Sequence, residues 1–230
     1  MQYGQVIQGR FLSRPNRFIA HVEVRGESLV THVKNTGRCR ELLIPGATVY
    51  LEKAQNPARK TPYDLIAVQK GSLLINMDSQ APNKVFAEAA PRLFPGLSCL
   101  KAETFFEDSR FDFYLEAGER RAFVEVKGVT LEEAGVCRFP DAPTERGVKH
   151  LKGLVRALEA GYEAYVFFVI QMKGVHLFEP NDRTHPAFGD ALRQAAQRGV
   201  QVRALDCLVT PDTLMADQLI PINLQRRDDL

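Results

Sequence analysis

Six short β-prone runs are crowded into the first 75 residues, which limits the front of the chain to a small, tightly turned sheet. Val6–Leu12, Arg17–Val24, Ser28–Val33, Thr48–Lys53, Leu65–Gln69 and Leu73–Ile75 carry the β-branched and aromatic residues that suit a pleated, half-buried surface. Arg14-Pro15-Asn16, Gly26-Glu27, Pro45-Gly46 and Gly71-Ser72 break them with turn chemistry. Strands this short and this closely spaced leave few solutions, and closure into a small barrel is the simplest.

From residue 80 the pattern changes to alternating helix and strand. Asn83–Leu93 is a short amphipathic helix with Val85, Phe86, Ala89 and Ala90 on its apolar side. Leu100–Phe106, Phe111–Leu115 and Ala122–Val126 read as strands, the last two joined by the turn Glu116-Ala117-Gly118-Glu119. A helix from Thr144 to Ala160 carries Val148, Leu151, Leu154/Val155 and Leu158 as one stripe. Glu163–Gln171 is a strand buried on both faces, with Val175–Phe178 as its expected neighbour. Pro186–Arg198 is a helix ended by Gly199, and Val200–Leu205 a further strand. The expected architecture is a small barrel of the oligonucleotide/oligosaccharide-binding (OB) type over residues 1–80, with one helical turn at Arg38–Leu43. An α/β domain follows over residues 81–230, making the chain α+β as a whole.

The most chemical string is Arg110-Phe111-Asp112-Phe113, followed on the next strand by Glu125-Val126-Lys127. Strand side chains alternate between faces, so Glu125 and Lys127 point one way while Val126 enters the core. If the hairpin brings Asp112 opposite Glu125, two carboxylates and an ammonium share a small volume, able to hold a divalent cation and a water beside a phosphate. Glu88, on the preceding helix, offers a third carboxylate. A plain surface hairpin with Glu/Lys alternation is the alternative.

Two further segments gather phosphate-binding chemistry. Phe139–His150 concentrates Asp141, Thr144, Arg146, Lys149 and His150 around a helix N-terminus, where free N–H groups can meet an anion. Thr144 serves equally as a plain N-cap. His32–Leu42 packs Lys34, Asn35, Thr36, Arg38 and Arg40 around Gly37, as a phosphate or sugar contact or merely as a tight turn. Phe11 and Phe18 are candidates for base stacking but are expected in the core. Residues 1–80 hold 11 Lys and Arg against 6 Asp and Glu, whereas the remainder holds 19 against 22. A basic front half suits a polyanion.

No apolar run approaches the ~20 residues that span a bilayer, and the N-terminus lacks a signal-peptide core, so a cytoplasmic protein without a membrane partner is expected. Cys39, Cys99, Cys137 and Cys207 form no C-x-x-C pair and read as reduced thiols. Walker, nucleophile-elbow and H-E-x-x-H motifs are missing, which weighs against a P-loop NTPase, an α/β-hydrolase and a zincin.

Three strings, His32–Gly46 (HVKNTGRCRELLIPG), Ser109–Leu131 (SRFDFYL…FVEVKGVTL) and Phe139–Leu151 (FPDAPTERGVKHL), together resemble the sugar fermentation stimulation protein A family in order and separation. The resemblance implies an OB-like domain followed by a PD-(D/E)XK restriction-endonuclease-like domain. It also implies DNA binding without sequence specificity and a regulatory role in sugar (maltose) metabolism. Asp112 then matches the motif aspartate, Glu125 and Lys127 the E-x-K pair, and Glu88 a helical carboxylate. Gln171 falls where such nucleases place a polar group. Catalysis would fall to Asp112, Glu125 and Lys127, with Mg2+ or Mn2+ held by Glu88, Asp112 and Glu125. DNA would be contacted by Lys34, Asn35, Arg38, Arg40, Arg110, Thr144, Arg146, Lys149 and His150. The chain departs from the family pattern at Lys152-Gly153 and at His185-Pro186. The alternative to a binding protein is a divalent-metal-dependent DNA phosphodiesterase; a homo-oligomer is left open.

Overall fold

The computed structural model describes residues 1–35 and 37–226. The first six strands are β1 (Val6–Asn16), β2 (Ile19–Val24), β3 (Glu27–Val33), β4 (Thr48–Lys53), β5 (Tyr63–Lys70) and β6 (Leu73–Asn76). They run in the order β3-β2-β1-β4-β5-β6, and a short parallel pairing of β3 with β5 (His32 with Asp64, Val33 with Leu65) closes the first five into a barrel. This is the OB-like barrel expected from the crowded turns. Within Arg38–Leu43 the expected single helical turn is present as one α-turn, in which the Leu43 N–H donates to the Cys39 carbonyl at 2.9 Å, and it does not continue into a helix.

Helix α1 (Ala81–Leu93) opens the second part. The antiparallel strands β7 (Leu97–Phe106), β8 (Ser109–Ala117) and β9 (Arg120–Val129) follow, then the short strands β10 (Leu131–Glu133) and β11 (Val136–Phe139). Helix α2 (Glu145–Glu159), β12 (Glu163–Ile170), β13 (Leu177–Pro180), α3 (Pro186–Gln197), β14 (Gln201–Val209) and β15 (Leu214–Leu219) complete it. The main sheet has the order β15-β14-β12-β9-β8-β7, with β12 parallel to both neighbours. Helix α1 covers one face through Val85, Phe86 and Ala90; α2 and α3 cover the other through Leu151, Leu154, Phe188 and Leu192. The expected pairing of the Val175–Phe178 region with β12 is corrected: β13 pairs in parallel with β11, in a separate three-stranded sheet. Both edges of β12 are already taken by β9 and β14, so no third strand can pair there.

The barrel and the α/β layer share a continuous hydrophobic core, and a buried polar network crosses between them. The Asn76 N–H donates to the Gln171 carbonyl at 2.9 Å, and the Gln171 side-chain amide donates to Asn76 Oδ1 (3.0 Å) and the Asp78 carbonyl (2.9 Å). Asn76 Nδ2 donates to the Tyr3 hydroxyl at 2.9 Å, which in turn donates to Asp78 Oδ2 at 3.3 Å. Lys34 Nζ lies 2.9 Å from Asp78 and 3.6 Å from Glu52. Burial and the carboxylate of Asp78 push the Tyr3 phenol far above its usual range. Lys34 and Asn35 therefore do structural work: Asn35 Nδ2 donates to the Met77 carbonyl and its Oδ1 accepts from the Gly37 N–H. Thr36 lies outside the described residues.

Cys39, Cys137 and Cys207 are buried free thiols that burial pushes up to about 12, and no helix among the described residues is long and apolar enough to cross a membrane. Removing Asp78 leaves the half-buried Lys34 ammonium with only the more distant Glu52 carboxylate, 3.6 Å away. Asp78→Ala is expected to lower the unfolding free energy by about 3 kcal/mol in chemical denaturation, and Lys34→Met combined with Asp78→Ala to recover part of that loss.

Candidate active site on the central hairpin

Strands β8 and β9 carry the acidic pair. Their last paired residues are Phe113 and Val124, so one step further along both strands are Asp112 and Glu125. Here Asp112 replaces strand pairing with side-chain bonds: its Oδ2 accepts from the Val126 N–H at 2.8 Å and its Oδ1 from Asn83 Nδ2 at 2.9 Å. On the other side of β8, Ala102 pairs with Phe113 and Thr104 with Phe111, while the intervening Glu103, opposite Asp112, has φ of +51°. The strand is irregular at this point. Phe111 joins the core under α2 and Phe113 the core under α1, although strict alternation would send both to one face.

On β9 the alternation holds. Val124 and Val126 enter the core under α1, whereas Glu125 and Lys127 face the other side and touch: Lys127 Nζ donates to Glu125 Oε1. The same oxygen lies 2.5 Å from His150 Nδ1 on α2. Glu125 is 2% exposed, and its second oxygen, Oε2, is buried with no hydrogen-bond partner among the described residues. A buried carboxylate oxygen without a donor is costly unless something positively charged meets it.

The two carboxyls are driven apart electrostatically. Burial, reinforced by the Glu125 charge, raises the Asp112 pKa against the pull of Lys127 and the bonds from Val126 and Asn83. Burial also pushes the Glu125 carboxyl up, but the bond from His150 and the charge of Lys127 outweigh it, leaving Glu125 below the usual carboxylate range. Opposite shifts in neighbouring acids are a signature of functional pairs, though structural ion pairs produce them as well.

Glu88 does not join this group. Its carboxylate is exposed on α1 and lies 2.6 Å from the amino group of Met1. Asn83, not Glu88, is the α1 residue that reaches Asp112; five positions of helix separate them, which turns Glu88 well away from Asn83's side. Among the described residues, no group of three or more His, Cys, Asp or Glu side chains is gathered closely enough to hold a metal. Any cation here would rely on Glu125 and Asp112, with backbone carbonyl or water oxygens making up the rest.

The other expected contacts separate into used and free groups. Thr144 caps α2, its Oγ1 accepting from the Gly147 N–H at 3.1 Å, and its own N–H donates to His185 Nδ1 at 3.3 Å. Lys149 is paired with Asp108 at 3.1 Å, and Arg110 lies 3.7 Å from Glu103, both at the surface. Arg146 donates to His150 Nε2 at 3.4 Å. Arg38 and Arg40 are exposed and have no side-chain partner among the described residues. Gly153, one of the departures from the family pattern, packs on Ser109 and Phe111, so tightly that a Cβ would lie 2.6 Å from Ser109 Oγ. Phe11 is buried as expected, but Phe18 is not in the core: it is 47% exposed at the β1–β2 turn.

Sequence reasoning missed Asn83 as a partner of Asp112 and His150 as a partner of Glu125. A polar Asn in the first turn of α1 and a His on the sheet-facing stripe of α2 were the available signals. Directly after Lys127, the chain runs into a cleft of about 320 Å³ between the two parts, lined by Gly37 and Ser79 on the barrel side and by Thr130, Asp141 and Thr144 on the other. Gly128 lies on its wall: a Cβ there would sit 2.6 Å from Gln171 Oε1 and 2.7 Å from Pro82 Cγ. Gly128→Ala is therefore expected to cost about 1–3 kcal/mol of stability, read by thermal or chemical unfolding.

Comparison with known proteins agrees with the two-part layout. Residues 12–77 match the model of the SfsA N-terminal OB domain, and residues 80–213 that of the sugar fermentation stimulation protein RE domain. A sugar fermentation stimulation protein homolog of Desulfitobacterium hafniense (strain Y51) is 62% identical over 225 residues, covering 97% of this chain and 99% of its own. The homolog of Ruminiclostridium cellulolyticum is 54% identical over 226 residues, covering 97% of this chain and all of its own. The structure of Pyrococcus furiosus SfsA in complex with Ca2+ superposes with a TM-score of 0.85 at 26% identity, covering 97% of this chain and 98% of that one. With its OB-like barrel followed by an α/β domain and family matches over both, the chain belongs to the sugar fermentation stimulation protein (SfsA) family.

Proposed function

We propose that this protein binds DNA and that the Asp112–Glu125–Lys127 group is a divalent-metal-dependent phosphodiesterase site. The observation that carries the reading is the buried, unpartnered Oε2 of Glu125 beside Asp112 and Lys127. A carboxylate oxygen that no described residue satisfies suits a hard cation, and Mg2+ or Mn2+ suits a site with few protein ligands because it keeps several waters. Glu125 and Asp112 would hold such an ion, which when bound would polarise a phosphate and lower the pKa of a bound water. Lys127 adds a fixed positive charge where a phosphate would enter, and His150 fixes the orientation of the Glu125 carboxylate. The Pyrococcus relative described in complex with Ca2+ is in line with cation binding by this fold.

A second reading, DNA binding without turnover, is favoured by one observation. Glu88 is turned away to Met1, so the carboxylate site has two members rather than three. A role in maltose metabolism and a cytoplasmic location accord with either reading.

Purified protein incubated with single-stranded, duplex and branched DNA in Mg2+ or Mn2+ is expected to cut at least one of them. A chelator, Asp112→Asn and Glu125→Gln should each reduce the rate by 100-fold or more, while Arg38→Ala leaves turnover of bound DNA intact. Cleavage that persists in Glu125→Gln sinks the catalytic assignment; binding without cleavage in every metal selects the second reading. The binding itself should weaken steeply with salt. Arg38→Ala and Arg40→Ala should each reduce the slope of log affinity against log salt by about 0.9 on duplex or about 0.7 on single-stranded DNA if each side chain meets one phosphate.

A further inference from the structure

Three surface grooves meet at the loop that follows β3. The interdomain cleft beside Gly128 shares Asn35 and Ser79 with a groove of about 430 Å³ that runs over the barrel past Lys34 and His32 to Phe18. It also shares Gly37 with a groove of about 470 Å³ bordered by Arg17, Arg38 and Arg40. Shared walls make the route continuous from the β1–β2 turn to the residues following Lys127.

The far end of this route is built rather than incidental. Phe18 is 47% exposed, yet its backbone is fixed: Asn16 Oδ1 accepts the N–H groups of Phe18 and Ile19 at 2.9 and 3.1 Å, and the Phe18 carbonyl accepts from Val33 at 2.8 Å. The Arg17 guanidinium lies over the Phe18 ring, 5.3 Å from its centre, so a base that stacks there displaces Arg17 toward its own phosphate or takes the other face. The guanidinium of Arg14 donates to four carbonyls, those of Arg17, Asn35, Gly37 and Arg38, at 2.7–3.0 Å. Arg14 thus ties the turn that carries Phe18 to the loop that carries Arg38 and Arg40, so that the backbone segments bearing the ring and the cations are held side by side.

Charge along the route selects the occupant. Lys34 and Arg59 are already neutralised, by Asp78 and Glu52 and by Asp64. Arg17, Arg38 and Arg40 have no acidic partner among the described residues, and Asp141 is the carboxylate on the route without a cationic one. An exposed aromatic face with unpaired arginines beside it matches a polyanion that carries flat apolar groups. A duplex keeps its base faces stacked on each other and offers Phe18 nothing; an unpaired base offers its whole face.

We propose that this route is a track for single-stranded DNA. One base stacks on Phe18, phosphates are neutralised by Arg17, Arg38 and Arg40, and the strand passes through the interdomain cleft toward Glu125 and Lys127. The proposal rests on the DNA reading given above and assigns that site its substrate form, a single strand.

The test is fluorescence anisotropy of the full chain with a labelled oligothymidylate and with a duplex of equal length, in chelator so that nothing is cut. The single strand should bind more tightly. Phe18→Ala should weaken its binding about tenfold or more, Phe18→Trp should preserve it, and neither should change duplex affinity. Because Phe18 is at the surface, circular dichroism should show both variants folded. Equal single-strand binding by wild type and Phe18→Ala, or a wild-type preference for duplex, overturns the track. If duplex is preferred and is cut in Mg2+ in a Glu125-dependent way, the track fails while the phosphodiesterase reading stands. If neither form is bound or cut, both fail.

Discussion

The polar network around Gln171 decides how the two halves of the molecule meet. Apolar contact between the barrel and the α/β layer is extensive, but apolar surfaces can slide past one another at little cost. The bonds from Gln171 to Asn76 and Asp78, and from Asn76 to Tyr3, cannot, because each has one geometry that satisfies it. Gln171 is the residue directly after β12, and β12 is paired with β9, the strand that carries Glu125 and Lys127. The register of the catalytic candidates is thereby referred to the barrel through one strand spacing and one side chain. Asp78, held between Lys34 and the Tyr3 hydroxyl, closes the network, and Lys34 fills a buried position that would otherwise strand a carboxylate.

That same rigidity shapes the site. Glu125 is buried on β9, and two positive or proton-donating groups, Lys127 from its own strand and His150 from α2, converge on one of its oxygens. Both donors on one oxygen leave the other bare, an asymmetry that would be a defect in a purely structural ion pair. Asp112 shows the opposite economy: both of its oxygens are occupied, by Asn83 and by the Val126 N–H, and burial still raises its pKa. The two acids therefore differ in kind. Glu125 has one carboxylate oxygen without a hydrogen-bond partner among the described residues, and Asp112 is oriented by one donor on each of its oxygens.

Glu125 and Lys127 were legible in the sequence because β9 keeps the strict period of two, whereas Asp112 comes opposite Glu125 through the hairpin register and not through alternation, which β8 loses there. Glu88 misled because a helix has no such strictness at the level of a single acid. Only the phase relative to Asn83 tells which residue reaches the sheet, and that phase depends on how α1 docks. Lys34 and Asn35 misled for a different reason. A polar cluster around a glycine looks the same whether its side chains reach outward to a phosphate or inward to Asp78 and Met77, and only the partners decide. Phe18 is the converse case. An aromatic residue in a short β-run reads as core, but here the turn bonds of Asn16 hold it on the rim. The β13 pairing was illegible because nothing in a four-residue strand says which edge is open to it.

Charge segregation ties these pieces together. Residues 1–80 carry a surplus of five positive charges and the remainder a deficit of three, and the free arginines sit on the barrel while the bare carboxylate oxygen lies in the α/β layer. A polyanion approaching this surface is attracted by one half and repelled by the other. In the proposed role this is the useful arrangement. If the arginines bordered Glu125, they would satisfy Oε2 themselves and leave no place for a cation; if the carboxylates lay on the barrel, they would repel the strand before it was bound. Lys127 offsets the charge of Glu125, but it does so through Oε1, so the attraction that would draw a cation to Oε2 survives. Binding by the barrel and cation capture by the hairpin then remain separate tasks, joined by a cleft whose width the Gln171 network sets.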